Sequence, residues 1–156
     1  MQEYRPLRVA LLGAGSVGSQ VARLLIENKA ELAARVGAEL ELIGVVVRDI
    51  DKAVKAGVPK KLLTTQAEDI IVSADIVIEV MGGIEPARTY ILQALNSGSD
   101  VITANKALLA THGTELFEAA ERVGAQLYFE AAVAGAIPII RPLRESLAGD
   151  RVKRIM

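Results

Sequence analysis

One segment constrains this chain more than any other: Leu7-Arg8-Val9-Ala10-Leu11-Leu12-Gly13-Ala14-Gly15-Ser16-Val17-Gly18, an apolar run that turns on glycine and passes at once into a helical pattern. The three glycines have separable duties. Gly13 permits a tight turn, Gly15 keeps a side chain away from the place where a ligand must reach the backbone, and Gly18 lets the new helix pack close to its strand. The helix start, at Ser16, Val17 and Gly18, then offers unpaired N–H groups and a partial positive charge. Val21, Leu24 and Leu25 supply an apolar helical face behind the turn. Strand, glycine turn and helix in this order are what gripping a dinucleotide pyrophosphate requires.

Composition narrows the rest. The 156 residues are 51% hydrophobic but only 3% aromatic, so the core must be built from Ala, Val, Leu and Ile, the usual filling of a parallel sheet between helices. A formal net charge of -1 leaves no basic surplus for a phosphate backbone, which argues against nucleic acid as the ligand. Cysteine is absent, which excludes a disulfide framework, a thiolate metal site and a thiol nucleophile within these residues. Redox chemistry on a carbonyl would then run by direct hydride transfer, not through a thiohemiacetal. The start lacks the pattern of a secretion signal, and no uncharged stretch approaches the roughly 18 residues needed to span a bilayer. The expected setting is the cytoplasm, with no membrane partner.

Strand and helix patterns alternate along the chain. Strands are expected at residues 7–12, 40–47, 62–65, 75–80, 100–103 and 126–129, and helices after the glycine turn and at 66–73, 85–97 and 113–123. Residues 28–39 read as an extension of the first crossover, and Pro138 as the start of a helix running to about residue 148. Such alternation predicts an α/β fold, a Rossmann-type doubly wound parallel sheet with helices on both faces. Residues 1–150 are read as this nucleotide-binding domain. Residues 151–156 begin a strand pattern, expected to open a second domain of a longer protein.

In such a sheet, ligands sit beyond the carboxyl ends of the strands. The residues there are those of the glycine turn, Arg48, Met81-Gly82-Gly83, Thr103-Ala104-Asn105-Lys106, and residues 130–135. Four stretches, residues 13–18, Glu79-Val80-Met81-Gly82-Gly83, residues 103–110 and residues 130–140, together resemble the nucleotide-binding domain of the homoserine dehydrogenases over essentially the whole chain. The resemblance implies interconversion of homoserine and aspartate 4-semialdehyde with NADP or NAD, on the route to threonine, methionine and isoleucine. It also implies a homodimer for the full-length protein. That family's second domain, which holds the substrate amine and another catalytic lysine, would lie beyond Met156, so the chain alone is expected to bind cofactor without turnover.

Lys106 follows a strand through Ala104-Asn105, so its ammonium could polarise a carbonyl or help move a hydroxyl proton. The pattern alone reads as a solvated lysine, and the resemblance is what assigns it catalysis. Arg48 ends the second strand, where a dinucleotide fold meets the adenosine ribose, and an arginine there favours the 2′-phosphate of NADP, although Asp49 and Asp51 nearby offer it ion-pair partners. Gly82 and Gly83 permit close backbone approach to the nicotinamide half, with Thr103 and Asn105 beside them. Glu130 opens a loop without charge until Arg141, which sequence alone reads as capping or salt bridging. The resemblance implies instead a monovalent cation, sodium, held by the Glu130 carboxylate and the carbonyls of Val133, Gly135 and Ile137, an oxygen donor set suited to a hard ion. His112, the only histidine, is expected in a loop without a partner, and Glu79 is expected to bond loop amides. Two other readings stand beside the dehydrogenase: a non-catalytic dinucleotide sensor, which needs neither Lys106 nor the cation loop, and a dehydrogenase of the same architecture for another small carbonyl compound.

Overall fold

A computed structural model describes residues 5–133, 135, 137–149 and 154. Its centre is β1 (Leu7–Leu12), in which Val9, Ala10, Leu11 and Leu12 are all 1% exposed or less. A strand buried on both faces reads as an apolar run, and residues 9–12 do so because helices cover both faces of the sheet while strands pair with both edges of β1. In chain order there follow α1 (Ser16–Glu27), α2 (Lys29–Val36), β2 (Leu40–Val46), α3 (Ile50–Lys55), β3 (Leu63–Thr64), α4 (Glu68–Val72), β4 (Ile76–Glu79), α5 (Ala87–Asn96), β5 (Asp100–Thr103), α6 (Lys106–Val123), β6 (Leu127–Tyr128) and α7 (Glu130–Val133). The six strands form one parallel sheet in the order β3-β2-β1-β4-β5-β6. The strand order reverses between β1 and β4, and that switch point opens a crevice at the carboxyl edge.

Side chains alternate between the faces. Leu11 and Val45 lie in a cluster with Ala22 of α1 and Ala53 of α3. Ala10, Leu12, Val46, Val77 and Val101 lie in the other cluster, with Ile71 of α4, Ile91 and Leu95 of α5, and Leu108 and Leu116 of α6. Helices therefore cover both faces, as the sequence pattern predicts. The amino edge has its own fastening. Arg5 forks onto the Asp75 carboxylate at 2.8 and 2.7 Å while the Arg8 N–H donates to the same group, and the Arg5 hydrogen bond holds the Asp75 carboxyl below its usual range.

Several expectations need correction. The stretch at 28–39 contains a separate helix, α2, ended by Gly37. The apolar face of α1 is built from Gly18, Ala22 and Leu25 with Val21 packed beside them, whereas Leu24 is half exposed. The helix expected at 113–123 starts seven residues earlier, at Lys106, because Asn105 caps it and Gly113 is buried in its interior. His112 consequently lies on α6, not in a loop. Glu130 begins the short helix α7, and the helical turn expected from Pro138 appears as a π-helical turn at Pro142–Ser146. The strand pattern at 151–156 falls outside the described residues, apart from Arg154.

Candidate functional site

The site is assembled at the carboxyl edge, where the sheet order becomes a spatial order of chemistry. Crossing that edge, the chain places Arg48 after β2, the glycine turn after β1, Met81-Gly82-Gly83 after β4, Lys106 after β5 and Glu130 after β6. Neighbouring strands are about 4.8 Å apart, so these groups stand in a row at intervals that one extended ligand can follow.

At the centre of the row, Gly13 turns with φ +103°, a conformation open to glycine but costly for other residues, and its N–H donates to the Val46 carbonyl at 2.9 Å. A Cβ on Gly18 would sit 2.1 Å from the Gly13 carbonyl oxygen, so the helix approaches the turn as closely as a residue without a side chain allows. A Cβ on Gly15 would meet nothing within 4 Å. The open space over Gly15 and the exposed residues Ser16 and Val17, whose N–H groups begin a twelve-residue helix, fit a pyrophosphate. The first turn contains no acidic residue to repel it.

Beside the turn, a cleft of about 480 Å³ is lined by Gly13, Gly15, Val47, Arg48, Lys52 and Met81 among others. Lys52 is the functional candidate that sequence reasoning missed. Its backbone N–H donates to the Asp49 carboxylate at 2.9 Å, so Asp49 caps α3 and the lysine one turn later faces the same cleft as Arg48. The Asp49 to Lys52 spacing was the available signal. Among the described residues Arg48 forms no salt bridge to the neighbouring aspartates.

On the other side of the turn, Gly82 and Gly83 are exposed with φ near +75° and keep the backbone bare. Thr103 and Asn105 sit beneath them, but their side chains are committed within the fold. The Thr103 hydroxyl, fully buried, donates to Glu79 at 2.6 Å, and Asn105 donates to the Gly83 carbonyl while accepting the Leu108 N–H. Lys106 is the first residue of α6, exposed at the mouth of the crevice and free of ion pairs among the described residues.

Glu130 accepts the backbone N–H groups of Ile140 and Arg141, each at 3.0 Å, one on each carboxylate oxygen. Val133 and Ile137 are exposed, and Gly135 has φ +62°. Among the described residues, no group of three or more His, Cys, Asp or Glu side chains is gathered for a metal. His112 has a partner after all, with Nδ1 3.5 Å from Glu115, whose carboxyl is held below its usual range by the hydrogen bonds of Arg88 from α5. That cluster joins two helices on the flank of the fold. No described helix is long and apolar enough to cross a membrane.

Comparison with known proteins agrees with this geometry. A family model described as the NAD-binding domain of homoserine dehydrogenase matches residues 13–130. The homoserine dehydrogenase of Mycobacterium tuberculosis is 57% identical over 156 residues, covering 98% of this chain and 35% of that protein. The crystal structure of a homoserine dehydrogenase from Thiobacillus denitrificans superposes with a TM-score of 0.85 at 44% identity, covering 94% of this chain and 34% of that one. A hyperthermophilic archaeal homoserine dehydrogenase in complex with NADPH gives a TM-score of 0.74 at 28% identity, over 93% of this chain and 50% of that one. The chain thus spans about a third of the length of the curated relatives it matches. A glycine cradle at the switch point, a cation beyond β2, a lysine beyond β5 and these matches lead to one statement: the chain belongs to the homoserine dehydrogenase family, as its NAD-binding domain.

Proposed function

We propose that this chain is the part of a homoserine dehydrogenase that holds NADP and presents it to L-homoserine or L-aspartate 4-semialdehyde, in the synthesis of threonine, methionine and isoleucine. The observation that carries the proposal is the row of strand ends, with Arg48 and Lys52 at one end of the cradle and Lys106 at the other. When bound, the nicotinamide would supply hydride exchange with the alcohol or aldehyde carbon of the substrate. Gly15, Ser16 and Val17 bind the pyrophosphate through backbone amides, and the open backbone of Gly82 and Gly83 borders the nicotinamide half. Thr103 and Asn105 serve by holding that backbone in place. Lys106 stabilises the substrate oxygen and helps pass its hydroxyl proton to solvent as the carbonyl forms. The remaining two thirds of the relatives' length would supply the substrate-holding groups and the dimer contacts, so the chain alone binds cofactor without turnover, and the cytoplasm is its proposed location.

The Arg48 guanidinium and the Lys52 ammonium face a cleft they share with Asp49, whose carboxylate is engaged by the Lys52 N–H, and two cations against one carboxylate favour an extra phosphate over a bare ribose hydroxyl. Titration calorimetry with NADPH and NADH tests this directly. NADPH is expected to bind at least about tenfold more tightly than NADH, the effect of one charge-assisted contact, and Arg48→Ala is expected to erase most of that preference. Heat with neither coenzyme from folded protein would overturn the cofactor reading, and an unchanged preference in the variant would remove Arg48 from it.

Glu130 with the carbonyls of Val133, Gly135 and Ile137 is proposed to hold a monovalent cation, sodium. The donor set is all oxygen with one negative charge, and each carboxylate oxygen that accepts an amide retains a second acceptor site. Exchanging sodium for tetramethylammonium is expected to speed amide hydrogen exchange across residues 130–141 and nowhere else. Equal exchange in both salts would count against the ion.

A further inference from the structure

Among the described residues, Glu79 is the only acidic or basic side chain in the buried interior, at 0% exposure, and no cation lies within ion-pair distance of it. A carboxylate taken out of water without a counter-charge costs several kcal/mol unless hydrogen bonds replace its hydration. Here three donors do so, and their identities are informative. One oxygen accepts the N–H groups of Met81 and Gly82 at 2.8 and 3.2 Å, and the other accepts the Thr103 hydroxyl at 2.6 Å. The Thr103 oxygen in turn accepts the Asn105 N–H at 3.1 Å, and the Asn105 amide returns to the Gly83 carbonyl at 2.6 Å. The bonds close a ring through residues 79, 81–83, 105 and 103.

The ring has two outputs. One is the 81–83 turn, whose two left-handed glycines have little conformational preference of their own and need an external hold. The other is the first turn of α6, which Asn105 caps through the Leu108 N–H and which begins with Lys106. An apolar side chain in place of Glu79 could fill the same volume, but it could not accept bonds from both strand ends at once. We propose that Glu79 is a positioning residue: through Thr103 and Asn105 it ties the backbone facing the nicotinamide to the helix start carrying Lys106, so that the two keep a fixed separation. The inference rests on the cofactor reading above.

Thr103→Val removes the hydroxyl with almost no change of shape, Thr103→Ser keeps it, and Glu79→Gln keeps one acceptor for the turn while disturbing the Thr103 link. Each variant of this chain is titrated with NADPH and with 2′-phospho-ADP-ribose, the same ligand without nicotinamide, after a melting curve confirms folding. Thr103→Val and Glu79→Gln are expected to weaken NADPH about tenfold, as for one lost hydrogen bond to a charged group, while leaving the truncated ligand unchanged. Thr103→Ser should match wild type, and the double variant should lose less than the two single losses added together, because both changes cut the same Glu79–Thr103 bond. Equal losses for both ligands, or no loss in Thr103→Val, would overturn the proposal. Wild type binding neither ligand would instead defeat the cofactor reading itself, and this inference with it.

Discussion

Gly18→Ala is expected to destabilise the fold by about 3 kcal/mol or more, near the upper end of overpacking effects, and to lower the melting temperature by about 6–12 °C for a chain of this size. The new Cβ would lie 2.1 Å from the Gly13 carbonyl oxygen and 2.8 Å from its carbon. Both are backbone atoms, and Gly13 is itself tied by its bond to Val46, with Val80 and Met81 backbone atoms 3.1 Å from where a Cβ on it would stand. No rotamer change relieves the clash, so α1 has to move away from the sheet. Gly15→Ala is the informative contrast. Its φ of -74° suits any residue and its Cβ enters open space, so stability should stay within about 0.5 kcal/mol of wild type. Affinity for NADPH, however, should fall about tenfold or more, because the methyl group stands where phosphate oxygens approach the amides. Thermal melts with calorimetry separate the two. Wild-type stability in Gly18→Ala, or unchanged affinity in Gly15→Ala, would refute the division of labour assigned to these glycines.

That division was readable from residue order because it depends on local geometry alone: a buried strand, a turn and a helix start within twelve residues. The ends of β1 and β5 are legible for a similar reason, since short apolar, β-branched segments bounded by turn residues have few alternative structures. The start of α6 was misplaced because Gly113 imitates a boundary, whereas it is buried within the helix, with Phe117 the nearest group to its missing side chain. Burial of that kind is a tertiary fact. Lys52 is hard to single out in the sequence because its relevance depends on lining the same cleft as the glycine turn, again a tertiary fact. The Glu79 ring lies further out of reach, for it joins residues 24 apart whose proximity exists only once β4 and β5 pair, Glu79 against Thr103. His112 and Glu115 are three residues apart on a helix, a spacing that would have revealed the pair had the helix been recognised.

The position of Lys106 at the first turn of α6 makes the second large effect unusually diagnostic. Cations near a helix N-terminus oppose the helix dipole, and this lysine has no compensating ion pair among the described residues. Lys106→Ala should therefore leave the melting temperature unchanged or raise it slightly, by the equivalent of about 0.3–1 kcal/mol. In the full-length enzyme the same substitution should reduce turnover by about 10²–10⁴-fold, the usual range for losing a positioned acid, base or electrostatic stabiliser. Affinity for NADPH should hardly change, since the lysine lies beyond β5 and the pyrophosphate cradle beyond β1. A group that costs its own helix stability, and whose loss lowers turnover but not binding, would be explained by chemistry and not by folding. Lys106→Arg sharpens the test: it keeps the charge but not the compact ammonium, and should recover only a small part of the rate if a proton moves at this atom. Near-normal turnover in Lys106→Ala would show a solvated lysine with no part in the reaction, and a parallel loss of cofactor affinity would move its role from the substrate to the coenzyme.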